Sequence, residues 1–186
     1  MVLRAVTALA LCALAAGCGG GKSTPTRTIT DSIHGLTYEL PQGWQRAHVN
    51  LTPRLVDPRE EMSVATFPLR YRRTACAHVA GSALEALGRR GAFVTLEERG
   101  LGAGAGFAPR PARFGPKLGG PSEASACVPK ARFTDHWFAF TDSGRYFHVL
   151  VAFGPDATGK VQDQAWHILD SLKIDPRVRP DWRSSP

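Results

Sequence analysis

Alternating apolar and polar residues divide most of this chain into short strands. Residues 145–153 alternate regularly, but both of the resulting faces are apolar, which predicts a central strand covered on both sides. This strand follows 130–141 across Asp142-Ser143-Gly144, and the two strands are predicted to form the clearest hairpin of the chain. Four shorter strands are predicted at 28–33, 36–40, 62–67 and 92–98.

Two helices are predicted where apolar residues recur at intervals of three and four. Thr74 is expected to cap the first helix, over 75–89, and Gly91 to end it. Thr158 is expected to begin the second helix, which carries an apolar stripe from Val161 to Leu172. Hairpins interspersed with helices indicate an α+β fold, in which an antiparallel β-sheet is packed by two helices.

The second predicted strand ends in a short motif, Tyr38-Glu39-Leu40-Pro41-Gln42-Gly43-Trp44, in which Trp44 is expected to pack back onto the domain. The motif resembles the strand and Pro-x-Gly-Trp opening of Mog1/PsbP-like domains, and the closing helix that ends at Ser171-Leu172 is similar to their ending. The same pattern occurs in small actinobacterial lipoproteins. The resemblance implies an α/β/α sandwich that acts as a binding or assembly module, and it brings no catalytic residues with it.

The N-terminal segment, 1–17, has the pattern of a lipoprotein signal peptide. Arg4 precedes a short apolar run that ends in Leu14-Ala15-Ala16-Gly17-Cys18, which is similar to a lipobox although Ala15 stands where a larger apolar residue is usual. The run is too short to span a bilayer. We therefore expect lipidation of Cys18 and attachment to the outer face of the cell membrane, with an ordinary cleaved signal peptide as the alternative.

The expected mature chain has three parts. A Gly-rich tether, 18–27, leads to a single α+β domain, 28–175, and a polar tail, 176–186, follows it. Two cysteines lie within the domain, and Cys76 and Cys127 are expected to form a disulfide because thiols outside the cytoplasm are readily oxidised. A metal site is the weaker alternative, since His78 is the one further ligand near them.

Composition narrows the choice of partners. The formal net charge is +7 and the basic residues are scattered, without the tight clusters and interleaved aromatics of nucleic-acid-binding proteins. Because the basic residues are scattered and the protein is expected to be exported, we do not expect nucleic acid to be its partner. Positive charge favours anionic lipid or an acidic envelope polymer, an envelope protein is a further candidate, and a monomer is expected.

A Gly/Pro-rich loop, 100–125, lacks hydrophobic periodicity and is expected to be either functional or disordered. If it folds over the end of the sheet, four nearby side chains could line a pocket for an apolar or aromatic ligand. These are His136, Trp137, Tyr146 and His148. The alternative is that they belong to the sheet and its core. His136 and His148 could also face each other across the hairpin if the register allows.

Candidate chemistry is sparse. Adjacent residues of a strand point to opposite faces, so neither Glu60-Glu61 nor Glu97-Glu98 forms a carboxylate dyad by itself. Hydrolase, metalloprotease and calcium-loop motifs are absent from the sequence. We therefore expect no cofactor, no resident metal and no catalytic residues. The expected function is a non-enzymatic binding or assembly module, with an envelope-polymer hydrolase that uses a sheet histidine, or a purely structural lipoprotein, as alternatives.

Overall fold

The computed structural model describes residues 25–74, 79–100, 106–122, 124–128 and 132–178. Their strands are β1 (Thr26–Asp31), β2 (Leu36–Pro41), β3 (Gln45–Arg46), β4 (Arg59–Ala65), β5 (Ala92–Arg99), β6 (Ala108–Pro109), β7 (Thr134–Asp142), β8 (Arg145–Phe153) and β9 (Lys173–Ile174). Their helices are α1 (Gly81–Ala86), α2 (Ala124–Cys127) and α3 (Gly159–Ser171).

The strands form two sheets, and the fold is α+β. One sheet has three antiparallel strands in the order β1-β2-β9, and the other has six in the order β3-β4-β5-β8-β7-β6. The larger sheet is mixed, because β6 pairs with β7 in parallel while its other pairs are antiparallel. The expectation of one antiparallel sheet was therefore too simple: the first hairpin builds a separate sheet with β9, which follows the last helix.

The hairpin of β7 and β8 confirms the strongest sequence prediction. Asp142 pairs with Arg145, so the connection is the two-residue turn Ser143-Gly144. Both turn residues have positive φ, 54° and 71°. This is the combination that a tight turn requires if its twist is to match that of the flanking strands. Gly144 adopts it without strain, and the register of the whole hairpin follows from it.

Strand β8 lies inside the larger sheet and is covered on both faces, as predicted. One face packs Phe147, Val149 and Val151 against α3 and the smaller sheet. The other face packs Leu150 and Ala152 with α1 and the segments around it. We call these the α3 face and the α1 face of the larger sheet. Two apolar faces in one strand thus correspond to two hydrophobic clusters on opposite sides of a single sheet.

Helix α3 closes the first of these clusters. It begins after Thr158, the predicted position, although the Thr158 side chain makes no capping hydrogen bond. Trp44 is buried, and its Nε1 donates a hydrogen bond to Gln164 Oε1 of α3 at 3.1 Å. The backbone N–H of Glu39 in β2 donates to Ser171 Oγ at 2.9 Å. The predicted return of Trp44 onto the domain is therefore confirmed, and it joins the smaller sheet to α3.

The first helix is shorter than predicted. Residues 75–78 of the predicted helix 75–89 lie outside the described residues, and α1 covers only Gly81–Ala86. Its N-cap is Ala80 rather than Thr74, and the chain turns to extended backbone at Leu87, well before Gly91. The apolar stripe was correctly placed, because Ala83 and Leu84 are buried. The helix ends early because Gly88 follows its C-cap, and glycine is a poor helix former.

Several boundaries also moved. Strand β4 starts at Arg59 rather than 62, and a β-bulge lies between Glu60 and Met62. Strand β1 starts at Thr26, so the last two residues assigned to the tether belong to the sheet. The tail begins next to a fixed point, since Asp175 N, at the end of the domain, donates to the Gly35 carbonyl at 2.8 Å, and Val178 N of the tail donates to the Asp175 carbonyl at 3.2 Å. Its residues beyond 178 lie outside the described residues.

The described part of the Gly/Pro-rich loop, 106–122, lies against β7 and α3. Arg110 donates to Asp142 Oδ2 at 2.9 Å and to the Leu169 carbonyl of α3 at 3.0 Å. Phe114 is buried in the cluster beneath α3. Gly120 forms a bridge with Trp137, donating to its carbonyl at 3.3 Å and accepting from its N–H at 2.8 Å. A sequence with little regular structure is thus held to the sheet by side-chain and bridge contacts.

Candidate functional site

A cavity of about 430 Å³ lies on the α1 face of the larger sheet, next to the end of the Gly/Pro-rich loop. Its size falls within the range of small-molecule binding sites. Most of its wall is apolar, and the polar groups are few. The lining residues are Leu55, Pro58, Val79, Glu97, Pro121, Ser122, Ala124, Trp137 and His148.

The sheet aligns three titratable side chains in one row beside this cavity. Glu97 of β5 pairs directly with Glu60 of β4 on one side and with His148 of β8 on the other. Trp137 of β7 stands next to this row, with its ring centroid 5.0 Å from that of His148 at an interplanar angle of 87°. The edge of one aromatic ring therefore meets the face of the other at the cavity wall.

Glu97 has an unusual environment for a carboxyl group. It is only 2% exposed, and its Oε2 has no hydrogen-bond partner within the described residues. Burial, reinforced by the nearby charge of Glu60, raises the pKa of Glu97 from 4.5 to about 8. At pH 7 the group is mainly a neutral carboxylic acid. In this form it has one donor and one additional acceptor, it borders the cavity, and no described residue forms a hydrogen bond with its Oε2.

Glu60 contrasts with its neighbour because its carboxylate is fully engaged. Its Oε2 accepts hydrogen bonds from Leu51 N at 2.7 Å, Thr52 N at 2.9 Å and Thr52 Oγ1 at 3.1 Å. Burial raises the pKa of Glu60, and these hydrogen bonds oppose the rise. Glu60 therefore fixes the segment before β4, and its role is structural.

His148 is half-buried and bears on the electrostatics of the same cavity. Burial lowers its pKa, and the nearby Arg99 lowers it further, while Asp57 acts in the opposite direction. The Nε of Arg99 lies 3.7 Å from Asp57 Oδ1, so this ion pair accounts for both effects. A neutral imidazole at pH 7 adds a donor and an acceptor to the wall, but no positive charge.

The wall opposite the row is fixed by Ser122. Asp135 Oδ2 accepts a hydrogen bond from Ser122 N at 2.8 Å and a second, short one from Ser122 Oγ. Ser122 Oγ accepts in turn from Ala124 N at 3.0 Å, which holds the start of α2. Cys127, at the end of α2, is disulfide-bonded. Since Cys76 lies outside the described residues, its pairing with Cys127 stays a prediction.

The structure separates the four side chains proposed from sequence. Trp137 and His148 line the cavity. Tyr146 lies further along the same face, with its ring 5.4 Å from that of Phe107, and is not part of the lining. His136 points to the other side, where its ring contacts Trp166 at 5.3 Å.

The register does not allow His136 and His148 to face each other. His136 pairs with Val151, and His148 pairs with Ala139. The two histidines are offset by three positions in the register. An odd offset places side chains on opposite faces of a sheet.

The α3 face carries the other two buried glutamates, both with charged partners. Arg145 donates to Glu98 through Nε at 2.8 Å and through a second guanidinium nitrogen at 2.5 Å, and it also donates to the His34 carbonyl at 2.9 Å. Glu61 Oε1 accepts from Arg59 Nε at 2.9 Å. The strands thus place Glu60 beside Glu97 on one face and Glu61 near Glu98 on the other.

Sequence reasoning missed Glu97 as a site residue. Two Glu-Glu pairs in consecutive strands were the available signal, since antiparallel pairing can bring members of both to one face. Only the register, which includes the bulge after Glu60, shows which members meet.

Across the described ranges, His, Cys, Asp and Glu side chains form no cluster of three or more that could hold a metal ion. In the same part of the chain, no helix combines the length and apolar character needed to cross a bilayer. No protein-family model and no curated protein sequence matches the chain. The function therefore has to be argued from the site itself.

Proposed function

We propose that this protein is a lipid-anchored, extracytoplasmic binding module that holds a small, mostly apolar ligand in the cavity beside Glu97. The supporting observation is a buried carboxylic acid that has no hydrogen-bond partner among the described residues and borders a mostly apolar cavity. A buried polar group that lacks a hydrogen bond destabilises a protein by about 1–3 kcal/mol. A ligand with one polar group and an apolar body would remove that penalty and fill the cavity.

The contrast with Glu60 and Glu98 strengthens this interpretation. Glu60 and Glu98 are also buried on the same pair of strands, and each accepts at least two hydrogen bonds. The fold therefore can supply partners for buried carboxylates where these serve the structure. Within the described part of the chain, Glu97 lacks such partners at the point where its strand borders a cavity.

The proposed cellular location rests on the sequence, and the proposed fold family rests on a sequence motif together with the packing of the sheet. The lipobox-like segment that ends at Cys18 and the tether after it support lipidation and display at the outer face of the cell membrane. We propose a Mog1/PsbP-like α/β/α sandwich because the Pro-x-Gly-Trp motif carries Trp44 onto α3 and because the larger sheet is covered on both faces. Such domains mostly act as binding or assembly modules, in agreement with the cavity.

The test is calorimetric titration of the full chain, in mild detergent, with 2-phenylethanol as a small aromatic probe. Ala124 is buried in the cavity wall, whereas Ala126 on the same short helix is exposed. Ala124→Leu should therefore abolish binding by filling the cavity, and Ala126→Leu should leave it unchanged. Equal binding to both variants would show that the probe does not use this cavity.

A hydrolase acting on envelope polymers is a second candidate, favoured by one observation. His148 lies in the same cavity as Ser122 and Glu97, and a neutral imidazole is the form that accepts a proton. His148→Ala should then abolish hydrolysis of isolated envelope fractions. His136→Ala is the matched control, since His136 lies on the opposite face. Equal rates in the wild type and both variants would remove this candidate.

Larger partners are proposed from charge. The net positive charge supports contact with anionic lipid headgroups, acidic envelope polymers or an envelope protein. A purely structural role at the cell surface is the remaining alternative. Binding of the non-lipidated Cys18→Ser chain to vesicles containing phosphatidylglycerol should weaken with added salt. Salt-independent association would speak against an electrostatic contact.

A further inference from the structure

The charged groups around the cavity indicate the class of ligand more specifically than its apolar lining does. Among its described lining residues there is no lysine or arginine, and the single histidine carries no positive charge at neutral pH. Glu97 is flanked by the carboxylate of Glu60, which disfavours ionisation of Glu97. The indole of Trp137 adds an aromatic ring, and aromatic faces attract cations. The site therefore lacks a positive charge and offers groups that would stabilise one.

We propose that the ligand of this cavity is a small apolar amine, and that its ammonium group pairs with Glu97 as Glu97 gives up its proton. This inference rests on the proposed binding function and specifies its ligand class. The body of such a ligand would contact Leu55, Val79 and Trp137. Its N–H groups would donate to the carboxylate of Glu97, whose buried Oε2 has no hydrogen-bond partner among the described residues and would be reached by a rotation of the side chain.

The proton balance of this step is simple. The amine arrives from water as an ammonium ion, and Glu97 starts as a neutral acid. On binding, the O–H bond of Glu97 breaks, the proton passes to solvent, and the resulting carboxylate accepts a hydrogen bond from the ammonium. The buried site gains one positive and one negative charge, so its net charge is unchanged. Buried charges are tolerated when they are paired in this way.

The groups that face Glu97 agree with this assignment. Glu60 approaches from β4 and His148 from β8. The ion pair of Arg99 with Asp57 lies beside His148, and Asp135 on β7 accepts two hydrogen bonds from Ser122. The cations near the row are thus already paired, and no described lining residue could neutralise an anionic ligand. A carboxylate ligand would meet Glu60 and Glu97 without compensation.

The test compares 2-phenylethylamine with 2-phenylethanol, which has the same ring and chain but no positive charge. Both are titrated calorimetrically into the full chain in two buffers of different ionisation enthalpy, with detergent buffer alone as the blank. At pH 7 we expect the amine to release about 0.9 proton per molecule bound, because Glu97 has a pKa of about 8. The alcohol should release none.

The affinity for the amine should also depend on pH. Only the ionised form of Glu97 pairs with the ammonium, so affinity should rise about tenfold between pH 6 and pH 7 and level off above pH 8. The affinity for the alcohol should stay constant. At pH 8 the amine should bind about tenfold more tightly than the alcohol, as expected for a charge-assisted hydrogen bond.

Variants separate this inference from the binding function. Glu97→Gln should abolish proton release and reduce amine affinity to that of the alcohol, while alcohol binding shows that the cavity is intact. Glu85→Gln, at an exposed position, should leave every value unchanged. The number of protons that the wild-type protein releases on binding the amine tests the inference even if the Glu97 variant does not fold.

Each alternative outcome has a distinct meaning. Equal affinity for both probes without proton release would overturn the amine assignment and leave the binding function standing. Tighter binding of 3-phenylpropionate with proton uptake would overturn it in favour of an anionic ligand. Failure of all the probes to bind would overturn both proposals.

Discussion

The buried acid Glu97 should make the folded protein less stable as the pH rises. Its pKa is raised from 4.5 to about 8 in the folded state, chiefly by burial and further by the charge of Glu60. Between these values the folded chain retains a proton that the unfolded chain releases. The contribution of Glu97 to stability is therefore fully present below pH 4.5 and is lost as the pH rises through 8.

The expected magnitude follows from the two pKa values. Each pKa unit corresponds to 1.36 kcal/mol of free energy, so the full effect is about 5 kcal/mol. An experiment between pH 5 and pH 8 covers only part of this titration. Within that range Glu97 should lower the free energy of unfolding by about 3.5 kcal/mol. This is a large share of the usual total stability of a single domain, about 5–15 kcal/mol.

Other titrating groups require a comparison between variants. Burial also raises the pKa of Glu60 and of Glu61, which gives pH dependences of the same sign. The lowered pKa of His148 acts in the opposite direction, because that contribution is lost as the pH falls. Glu97→Gln removes one titration and leaves these three in place, so its difference from the wild type isolates Glu97.

The assay is urea unfolding of the full chain at pH 5, 6, 7 and 8. The free energy of unfolding of the wild type, relative to Glu97→Gln, should fall by about 3.5 kcal/mol across this range. Glu85→Gln, at an exposed position, should run parallel to the wild type. If the wild type and Glu97→Gln give parallel curves, Glu97 ionises normally in the folded protein, and the argument for a buried neutral acid is refuted.

Three further predictions concern other parts of the molecule. Glu98→Gln should lower the free energy of unfolding in urea by about 3–5 kcal/mol, because it leaves the buried guanidinium of Arg145 without its charge partner. A loss below 1 kcal/mol would contradict a tight buried pair. Gly119→Ala should lower the melting temperature, since its φ is +71° and a Cβ would lie 2.1 Å from the Trp137 carbonyl oxygen. Gly115→Ala, which has open space, should have little effect. Finally, Cys18→Ser should move the protein from the membrane fraction to the soluble exported fraction and remove the mass of the lipid; unchanged fractionation and mass would rule out the anchor.

The local pattern of apolar and polar residues was sufficient to predict two elements, the β7–β8 hairpin and helix α3. The β7–β8 hairpin combines long apolar strands with a two-residue turn that tolerates positive φ. Helix α3 has a full apolar stripe, and its predicted N-cap, Thr158, is correct. In both cases hydrophobic periodicity and terminal residues indicate the same element, and tertiary contacts reinforce it.

Prediction failed where the answer depends on contacts distant in sequence. Helix α1 is an exception with a local cause, since it ends at Ala86 and Gly88 follows its C-cap. The two-sheet arrangement depends on β9 pairing with β2, more than 130 positions earlier in the chain. The attachment of 106–122 to α3 depends on individual contacts of Arg110 and Phe114 that no periodicity encodes. Such contacts join segments that are far apart in the sequence, and a single sequence does not reveal them.

The candidate site could not be predicted from the sequence because it depends on the register between β4 and β5. Adjacent glutamates were correctly expected to point to opposite faces, and this excluded a dyad within either pair. Antiparallel pairing across β4 and β5, with one bulge, then brings Glu60 beside Glu97 and places Glu98 on the other face with Arg145. Two similar dipeptides thus yield one structural carboxylate, two that are paired with arginine and one without a partner among the described residues. The difference lies in what each side chain faces, and of these four only Glu97 borders a cavity without any hydrogen bond in the described chain. Glu61 also has one oxygen without a hydrogen bond, but its other oxygen accepts from Arg59. Among the described residues no group donates a hydrogen bond to Glu97, and this is the reason to look for a ligand there first.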